Sequence, residues 1–90
     1  MPYIDPQRRS NFDGHIATLV ARLNQCSWTA GDLNYVVTKL AIAYLKEHGE
    51  SYNDSYNAIV GALDNAKDEF KRRAQSPYED KKIKQNGDVY

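Results

Sequence analysis

The sequence has a single cysteine, three prolines and no run of apolar residues long enough to cross a membrane. The lone thiol, Cys26, cannot form a disulfide within the chain, so no disulfide framework can support the fold. Residues 1–5 lack the basic and then apolar layout of a secretion signal. We therefore expect a protein that stays in the reducing cytoplasm where it is made and has no membrane partner.

The sequence also lacks an excess of charge of either sign, because twelve Lys and Arg balance twelve Asp and Glu. Residues 67–84 hold seven basic against four acidic side chains, which gives +3 there and leaves −3 elsewhere. Nucleic-acid-binding domains usually carry a larger basic excess, since phosphate neutralisation supplies much of their affinity. The charge balance therefore argues against nucleic acid as the partner.

Patterns typical of catalysis and of metal binding are missing as well. His15 and His48 are isolated in the sequence, and neither belongs to a motif that would place it beside Cys26. Asp64 and Asp68 lie at helical spacing, but no second carboxylate-rich helix accompanies them, as a metal site in a helical bundle requires. No glycine-rich phosphate loop is present. We therefore predict no catalytic residue, no metal and no cofactor, and a protein that is not an enzyme.

What the sequence does contain is apolar residues at helical spacing. One stripe runs through residues 12–23, a second through residues 33–45, and a third, the clearest, through residues 52–70. These stripes predict three helices, each with one apolar face. Three tyrosines lie on the stripes and are predicted to belong to the core: Tyr44, Tyr52 and Tyr56.

Capping residues predict where these three helices begin. Asn11 or Asp13 can cap the first helix, since both side chains accept hydrogen bonds from unpaired amides. Thr29 and Asp32 match a capping box, in which a hydroxyl and a carboxylate three residues apart satisfy each other's backbone amides. Ser51 is the predicted cap of the third helix.

A separate fourth helix is predicted near the end of the sequence. Pro77 disfavours a helical conformation in the residue before it, so the third helix is predicted to end there. Ser76, Pro77 and Glu79 then match a capped start with proline at the first helical position, and Asn86 with Gly87 closes the short helix. The predicted fold is all-α: a single domain over residues 1–90, with a three-helix-bundle-like arrangement and a short C-terminal fourth helix.

The chain is short for a protein that relies on its own core. A domain of this size buries only about 60–65% of the surface that its unfolded chain exposes. Small domains supplement such a core with disulfides, a metal or self-association. Because the sequence provides neither of the first two, we expect a homo-oligomer.

Basic and aromatic residues mix in the last third of the sequence. Guanidinium and ammonium groups pair with phosphates, and tyrosine rings stack on bases, so such a mixture can hold an anionic, nucleotide-like small molecule. An ordinary solvated helix face with ion pairs four residues apart would have the same composition. The residues predicted to bind such a ligand are Tyr35, Lys39, Arg72, Arg73, Tyr78 and Lys82.

Three stretches of the sequence resemble a known family: residues 1–4 (MPYI), 32–40 (DLNYVVTKL) and 77–90 (PYEDKKIKQNGDVY). The chain resembles, over nearly its whole length, a family of uncharacterised short proteins from tailed bacteriophages and prophages. Residues 61–73 are similar to the third-helix motif of that family. The family tends to have glutamate, cysteine and tyrosine where this chain has Asp64, Asn65 and Lys71.

The resemblance implies a phage origin, the cytoplasm of a bacterial host and no assigned activity. We expect a non-catalytic accessory protein that oligomerises and binds a host-derived ligand, and the sharper hypothesis is a counter-defence protein that sequesters a signalling nucleotide between subunits. A module that inhibits a host enzyme by binding it and a phage assembly or structural factor remain alternatives. Val89 and Tyr90 are the predicted apolar anchors of an interface with a neighbouring subunit.

Overall fold

The structure, a computed structural model, describes residues 2–90, and all of the regular structure in this range is helical. The α-helices are α1 (Pro6–Arg9), α2 (Asp13–Gln25), α3 (Ala30–His48), α4 (Asn57–Phe70) and α5 (Ser76–Asn86). A first π-helical turn (Tyr52–Tyr56) precedes α4, and a second (Lys71–Gln75) follows it. The prediction of an all-α protein is confirmed. None of the helices described is both long and apolar enough to cross a membrane.

The start of α2 is set without a side-chain cap. Phe12 occupies the N-cap position and makes no capping hydrogen bond, so the prediction of a cap at Asn11 or Asp13 is wrong. Asp13 lies within the first turn, where its carboxylate interacts favourably with the positive end of the helix dipole. The guanidinium of Arg8 lies 5.9 Å from the centre of the Phe12 ring. These local contacts fix the beginning of the helix in place of a cap.

The boundaries of α3 follow the sequence closely. The backbone amide of Thr29 donates to Asp32 Oδ2 at 2.8 Å, and the amide of Asp32 donates to Thr29 Oγ1 at 3.3 Å. The predicted capping box is therefore confirmed. At the other end Gly49 has a φ of 88°, a conformation that glycine adopts without steric cost.

The first π-helical turn is held by serine hydroxyls at both of its ends. Ser51 Oγ accepts a hydrogen bond from the amide of Asp54, which confirms Ser51 as the predicted cap. The amide of Tyr56 donates to the Ser51 carbonyl, five residues earlier instead of the four of an α-helix. Ser55 is fully buried, and its hydroxyl donates to the carbonyl of Gly49.

The chain stays helical through Pro77, so the predicted separate start at Ser76 is wrong. Ser76 has helical torsion angles, φ −62° and ψ −45°, and its side chain caps nothing. A proline within an α-helix clashes with the carbonyl four residues earlier, here that of Arg73. The amide of Ser76 donates to the Lys71 carbonyl, five residues back, so the helix is wider where this clash would fall.

The structure buries very little apolar surface. Throughout residues 2–90 no apolar side chain is buried, and Ser55 is the one buried residue. The tyrosines predicted to belong to the core are exposed, Tyr52 by 78% and Tyr44 by 40%. The prediction that they are buried in a core of their own chain is therefore wrong. The more covered apolar residues are only half-buried: Leu23, Val36, Val37, Ala41, Leu45 and Ile59.

Two compact units divide the chain. Residues 3–59 contain α1 to α3, the first π-helical turn and the start of α4, and residues 60–90 contain the rest of α4, the second π-helical turn and α5. In the first unit α3 packs against the first π-helical turn, and in the second α5 packs against the second. Each of these contacts joins elements that are neighbours in sequence. The bundle-like arrangement and the single domain remain predictions.

Candidate functional site

A shallow groove lies beside the last turns of α5 and the tail that follows. Gly87 ends the helix with a φ of 88°, and its amide donates to the carbonyl of Ile83 at 2.8 Å. The tail, residues 88–90, begins after this glycine. Gly87 ends the helix because glycine adopts a positive φ without strain, whereas other residues do not. The groove has a volume of about 280 Å³ and is lined by Glu79, Lys82, Ile83, Asn86, Gly87, Asp88, Val89 and Tyr90.

The two predicted interface residues, Val89 and Tyr90, line this groove. Val89 is 92% exposed and Tyr90 is fully exposed. The amide of Tyr90 donates to Asp88 Oδ1 at 2.9 Å, which shapes the tail locally without covering either apolar side chain. Both anchors are therefore accessible to a partner.

Two of the predicted ligand residues meet on α5. Lys82 Nζ lies 5.6 Å from the centre of the Tyr78 ring, one helical turn away, within the range of a cation–π interaction. Tyr78 is 56% exposed, so its ring also has free surface for stacking. Lys82 lines the groove as well, and it therefore links the aromatic ring to the tail.

The predicted arginines lie on the second π-helical turn, in different environments. Arg72 Nη2 donates to Glu69 Oε1 at 2.5 Å, and Arg72 Nε donates to Glu69 Oε2 at 3.4 Å, so the guanidinium is held by both carboxylate oxygens. Arg73 and Lys71 form no ion pair with any residue that the structure describes. Among the described residues, the turn thus offers one oriented cation and two cations without an ion-pair partner.

A smaller ion-pair cluster lies just upstream, on α4. Lys67 Nζ is 3.3 Å from Asp64 Oδ1 and 3.6 Å from Asp68 Oδ1. The hydrogen bond to Asp64 and the charge of Asp68 raise the pKa of Lys67 above its ordinary value of 10.5. Because two carboxylates face one ammonium, this cluster repels anions and separates the apolar part of α4 from the basic turn.

Tyr35 and Lys39 lie in the other compact unit. They are four residues apart on α3 and therefore on the same side of that helix. Tyr35 is 65% exposed. The structure thus brings together Tyr78 and Lys82, places Tyr35 and Lys39 as a second adjacent pair, and locates both arginines on the second π-helical turn.

The groove lining includes residues that the sequence did not single out as functional, in particular Ile83 and Asp88. One signal points to it: an apolar contact often joins the last turn of a helix to the residue beyond a capping glycine, as Ile83 and Val89 flank Gly87. Two carboxylates, those of Glu79 and Asp88, line the groove beside a single ammonium. The groove alone is therefore better suited to an apolar or mixed partner than to a phosphate.

Within residues 2–90 no group of three or more His, Cys, Asp and Glu side chains is arranged to hold a metal ion. Cys26 is an exposed free thiol, and the indole of the nearby Trp28 donates to Asn24 Oδ1 at 3.1 Å.

These features define an all-α protein with exposed apolar helix faces, a basic turn and an open groove at its C-terminal helix. The chain belongs to the family described as "Domain of unknown function (DUF6899)", whose model matches residues 1–89. No curated protein and no solved structure matches it.

Proposed function

We propose that the protein is a non-catalytic phage accessory protein that forms homo-oligomers and binds an anionic, host-derived ligand in the bacterial cytoplasm. The observation that carries this proposal is that no apolar side chain in the described chain is buried, while large apolar side chains are exposed along α2, α3 and α4. Exposed apolar surface is unfavourable in water by about 25 cal/mol per Å², and contiguous patches mark interaction sites. The phage origin rests on the resemblance of residues 1–4, 32–40 and 77–90.

Each compact unit exposes large apolar side chains: Leu33 and Leu40 in residues 3–59, and Leu63 and Phe70 in residues 60–90. Exposed apolar surface is a usual site of protein–protein contact, and self-association is one way to cover it.

The ligand is an anion that carries a ring system, such as a nucleotide. The phosphate is expected on Arg72, Arg73 and Lys82, because guanidinium and ammonium groups form strong charge-assisted hydrogen bonds with phosphate oxygens. The ring is expected to stack on the exposed face of Tyr78. Tyr35 and Lys39, the second aromatic and basic pair, complete the proposed set.

The site is proposed to lie between subunits. The groove on α5 is open, has a volume of about 280 Å³ and carries two carboxylates, and its lining includes neither Arg72 nor Arg73. One chain therefore does not enclose a nucleotide, and a neighbouring copy would supply the missing wall. In the sharper form of the proposal, this enclosure sequesters a signalling nucleotide of the host.

Isothermal titration calorimetry with ATP and with cyclic dinucleotides tests the ligand assignment. Arg73→Ala and Lys82→Ala are each expected to weaken binding by at least about tenfold, since a hydrogen bond to a charged group contributes about 1.5–3 kcal/mol. Lys46→Ala, which removes an exposed lysine from α3, is the matched control and should leave affinity unchanged. Failure of every nucleotide to bind, or equal losses in all three variants, would contradict the assignment.

A second candidate function is a protein–protein module that inhibits a host enzyme. The observation in its favour is the exposure of Val89 and Tyr90 beside a groove whose charge does not favour phosphate. In this case no nucleotide should bind, and a stoichiometric complex with one host protein should be lost on removal of residues 86–90. Retention of that complex by the shortened chain would exclude the tail as the binding element.

A further inference from the structure

Two ion-pair clusters lie within the compact unit of residues 60–90, and they differ in how far water reaches them. In the cluster around Lys67, all three side chains are between 61% and 68% exposed. In the other cluster, the side chain of Glu69 is only 18% exposed, whereas that of its partner Arg72 is 65% exposed. A largely covered carboxylate therefore holds an accessible guanidinium.

The contact between Glu69 and Arg72 is bidentate. Glu69 Oε1 accepts a hydrogen bond from Arg72 Nη2, and Glu69 Oε2 accepts one from Arg72 Nε. Glu69 lies in the last turn of α4 and Arg72 lies in the second π-helical turn, three residues further on and on the same side of the helix. Single contacts between exposed charges contribute little, but a bidentate pair fixes the plane of the guanidinium.

We infer that Glu69 is a positioning residue of the proposed ligand site, which holds the guanidinium of Arg72 in the orientation that binds the phosphate. This inference rests on the proposed function and adds to it a residue that acts through Arg72. Binding is weakened when a long side chain has to be ordered at the moment of contact. A guanidinium that is already held by a carboxylate avoids most of this cost.

The negative charge of Glu69 has the opposite effect on the ligand. A carboxylate near a bound anion repels it, so charge alone would make Glu69 weaken phosphate binding. Lys71 and Arg73, on the same turn, form no ion pair with any described residue and can supply the attraction. The pair of Arg72 and Glu69 supplies the geometry, because a guanidinium recognises phosphate through a planar fork of donors. Positioning and charge therefore predict opposite results when the charge of Glu69 is removed.

Nuclear magnetic resonance relaxation of the arginine Nε–H groups in the ligand-free protein tests the positioning without any ligand. Order parameters report motion on the picosecond to nanosecond timescale. The Nε–H group of Arg72 should be well ordered, and that of Arg73, the matched control on the same turn, should be mobile. In Glu69→Gln the mobility of Arg72 should approach that of Arg73. Equal mobility of the two groups in the wild type would overturn the inference, whatever the protein binds.

Calorimetry with ATP and with cyclic dinucleotides then decides by the direction of the change in affinity. Glu69→Gln should weaken nucleotide binding about two- to tenfold, since the guanidinium is then ordered only on binding. Asp80→Asn, which makes the same change in net charge at an exposed residue of α5, should leave affinity unchanged or raise it slightly. Unchanged or tighter binding by Glu69→Gln would show that positioning does not contribute and would overturn the inference.

A double-mutant cycle with Arg72 separates positioning from a general effect on the helix. Arg72→Lys keeps the charge but cannot form the bidentate contact, so Glu69→Gln should cause no further loss of affinity in Arg72→Lys protein. Circular dichroism checks that each variant is as helical as the wild type. If Glu69→Gln lowers affinity equally in both backgrounds, the inference is refuted while the proposed function stands. A wild type that binds none of the nucleotides would contradict both.

Discussion

The two π-helical turns at the ends of α4 share a hydrogen-bonding pattern but differ in what stabilises it. In the first, Ser51 caps the turn and the buried hydroxyl of Ser55 donates to the Gly49 carbonyl. In the second, no residue is buried, and Ser76 alone separates the turn from Pro77. The first turn is thus anchored by its own hydrogen bonds, and the second accommodates a proline within a continuous helix.

This difference has a consequence for function. The anchored turn is rich in polar side chains and fixes the start of α4, whereas the second turn consists of three cations and two further exposed residues. A turn that is widened by a downstream proline can carry charged side chains without burying any of them. The basic residues of the second π-helical turn therefore lie on backbone that is helical although none of the side chains of the turn is buried.

One of the two largest expected effects comes from replacing Pro77, which the second turn accommodates. Pro77→Ala should raise the free energy of unfolding by about 1–3 kcal/mol, because proline within a helix costs about 3 kcal/mol relative to alanine and the π-helical turn relieves only part of this. Helical circular dichroism should increase as well. Chemical denaturation measures the change, and an unchanged stability would indicate that Pro77 lies at the favourable first position of a separate helix.

Serine substitutions at the two turns sharpen the comparison. Ser55→Ala should lower the free energy of unfolding by about 1–3 kcal/mol, because the carbonyl of Gly49 loses its buried donor. Ser76→Ala should change stability by less than about 0.5 kcal/mol, since Ser76 is an exposed helical residue whose side chain caps nothing. If Ser76→Ala instead lowered the free energy of unfolding by about 1 kcal/mol, Ser76 would act as the cap of a separate helix.

The smallest expected effect concerns the ion-pair cluster of Lys67, Asp64 and Asp68 on α4. The pKa of Lys67 is raised by Asp64 and Asp68, so its contribution to stability is complete below its ordinary pKa of 10.5 and is lost as the pH rises through the higher value in the folded chain. Thermal unfolding of wild type and Lys67→Met should therefore differ slightly at neutral pH and converge above that range. A difference that grows at alkaline pH would contradict this assignment.

Local signals in the sequence predicted much of the helical structure. The capping box of Thr29 and Asp32 and the cap at Ser51 each depend on residues a few positions apart. The sequence alone therefore identifies them, without knowledge of the tertiary structure. The pairing of Tyr78 with Lys82 follows from their spacing of four residues. The start at Ser76 was predicted wrongly, because its sequence matches a capped helix and only the register of the preceding turn shows that the helix continues.

Other features depend on contacts that no local pattern encodes. Tyr44 and Tyr52 lie on apolar stripes. A stripe shows only which side of a helix is apolar, and it does not show which other element or partner packs against that side. The groove on α5 depends on the path of the tail after Gly87, which the positive φ allows but does not determine. Arg72 and Arg73 were predicted as ligand residues from their charge, whereas their position on the second π-helical turn and the pairing of Arg72 with Glu69 emerged from the structure.

The central claim is that copies of the chain cover the apolar surface that each copy leaves exposed. Sedimentation equilibrium combined with thermal unfolding over a wide range of protein concentration tests it most directly. The account predicts a defined oligomer whose midpoint temperature rises with concentration, because association stabilises the folded state by mass action. A monomer that unfolds cooperatively at a temperature independent of concentration would contradict the claim.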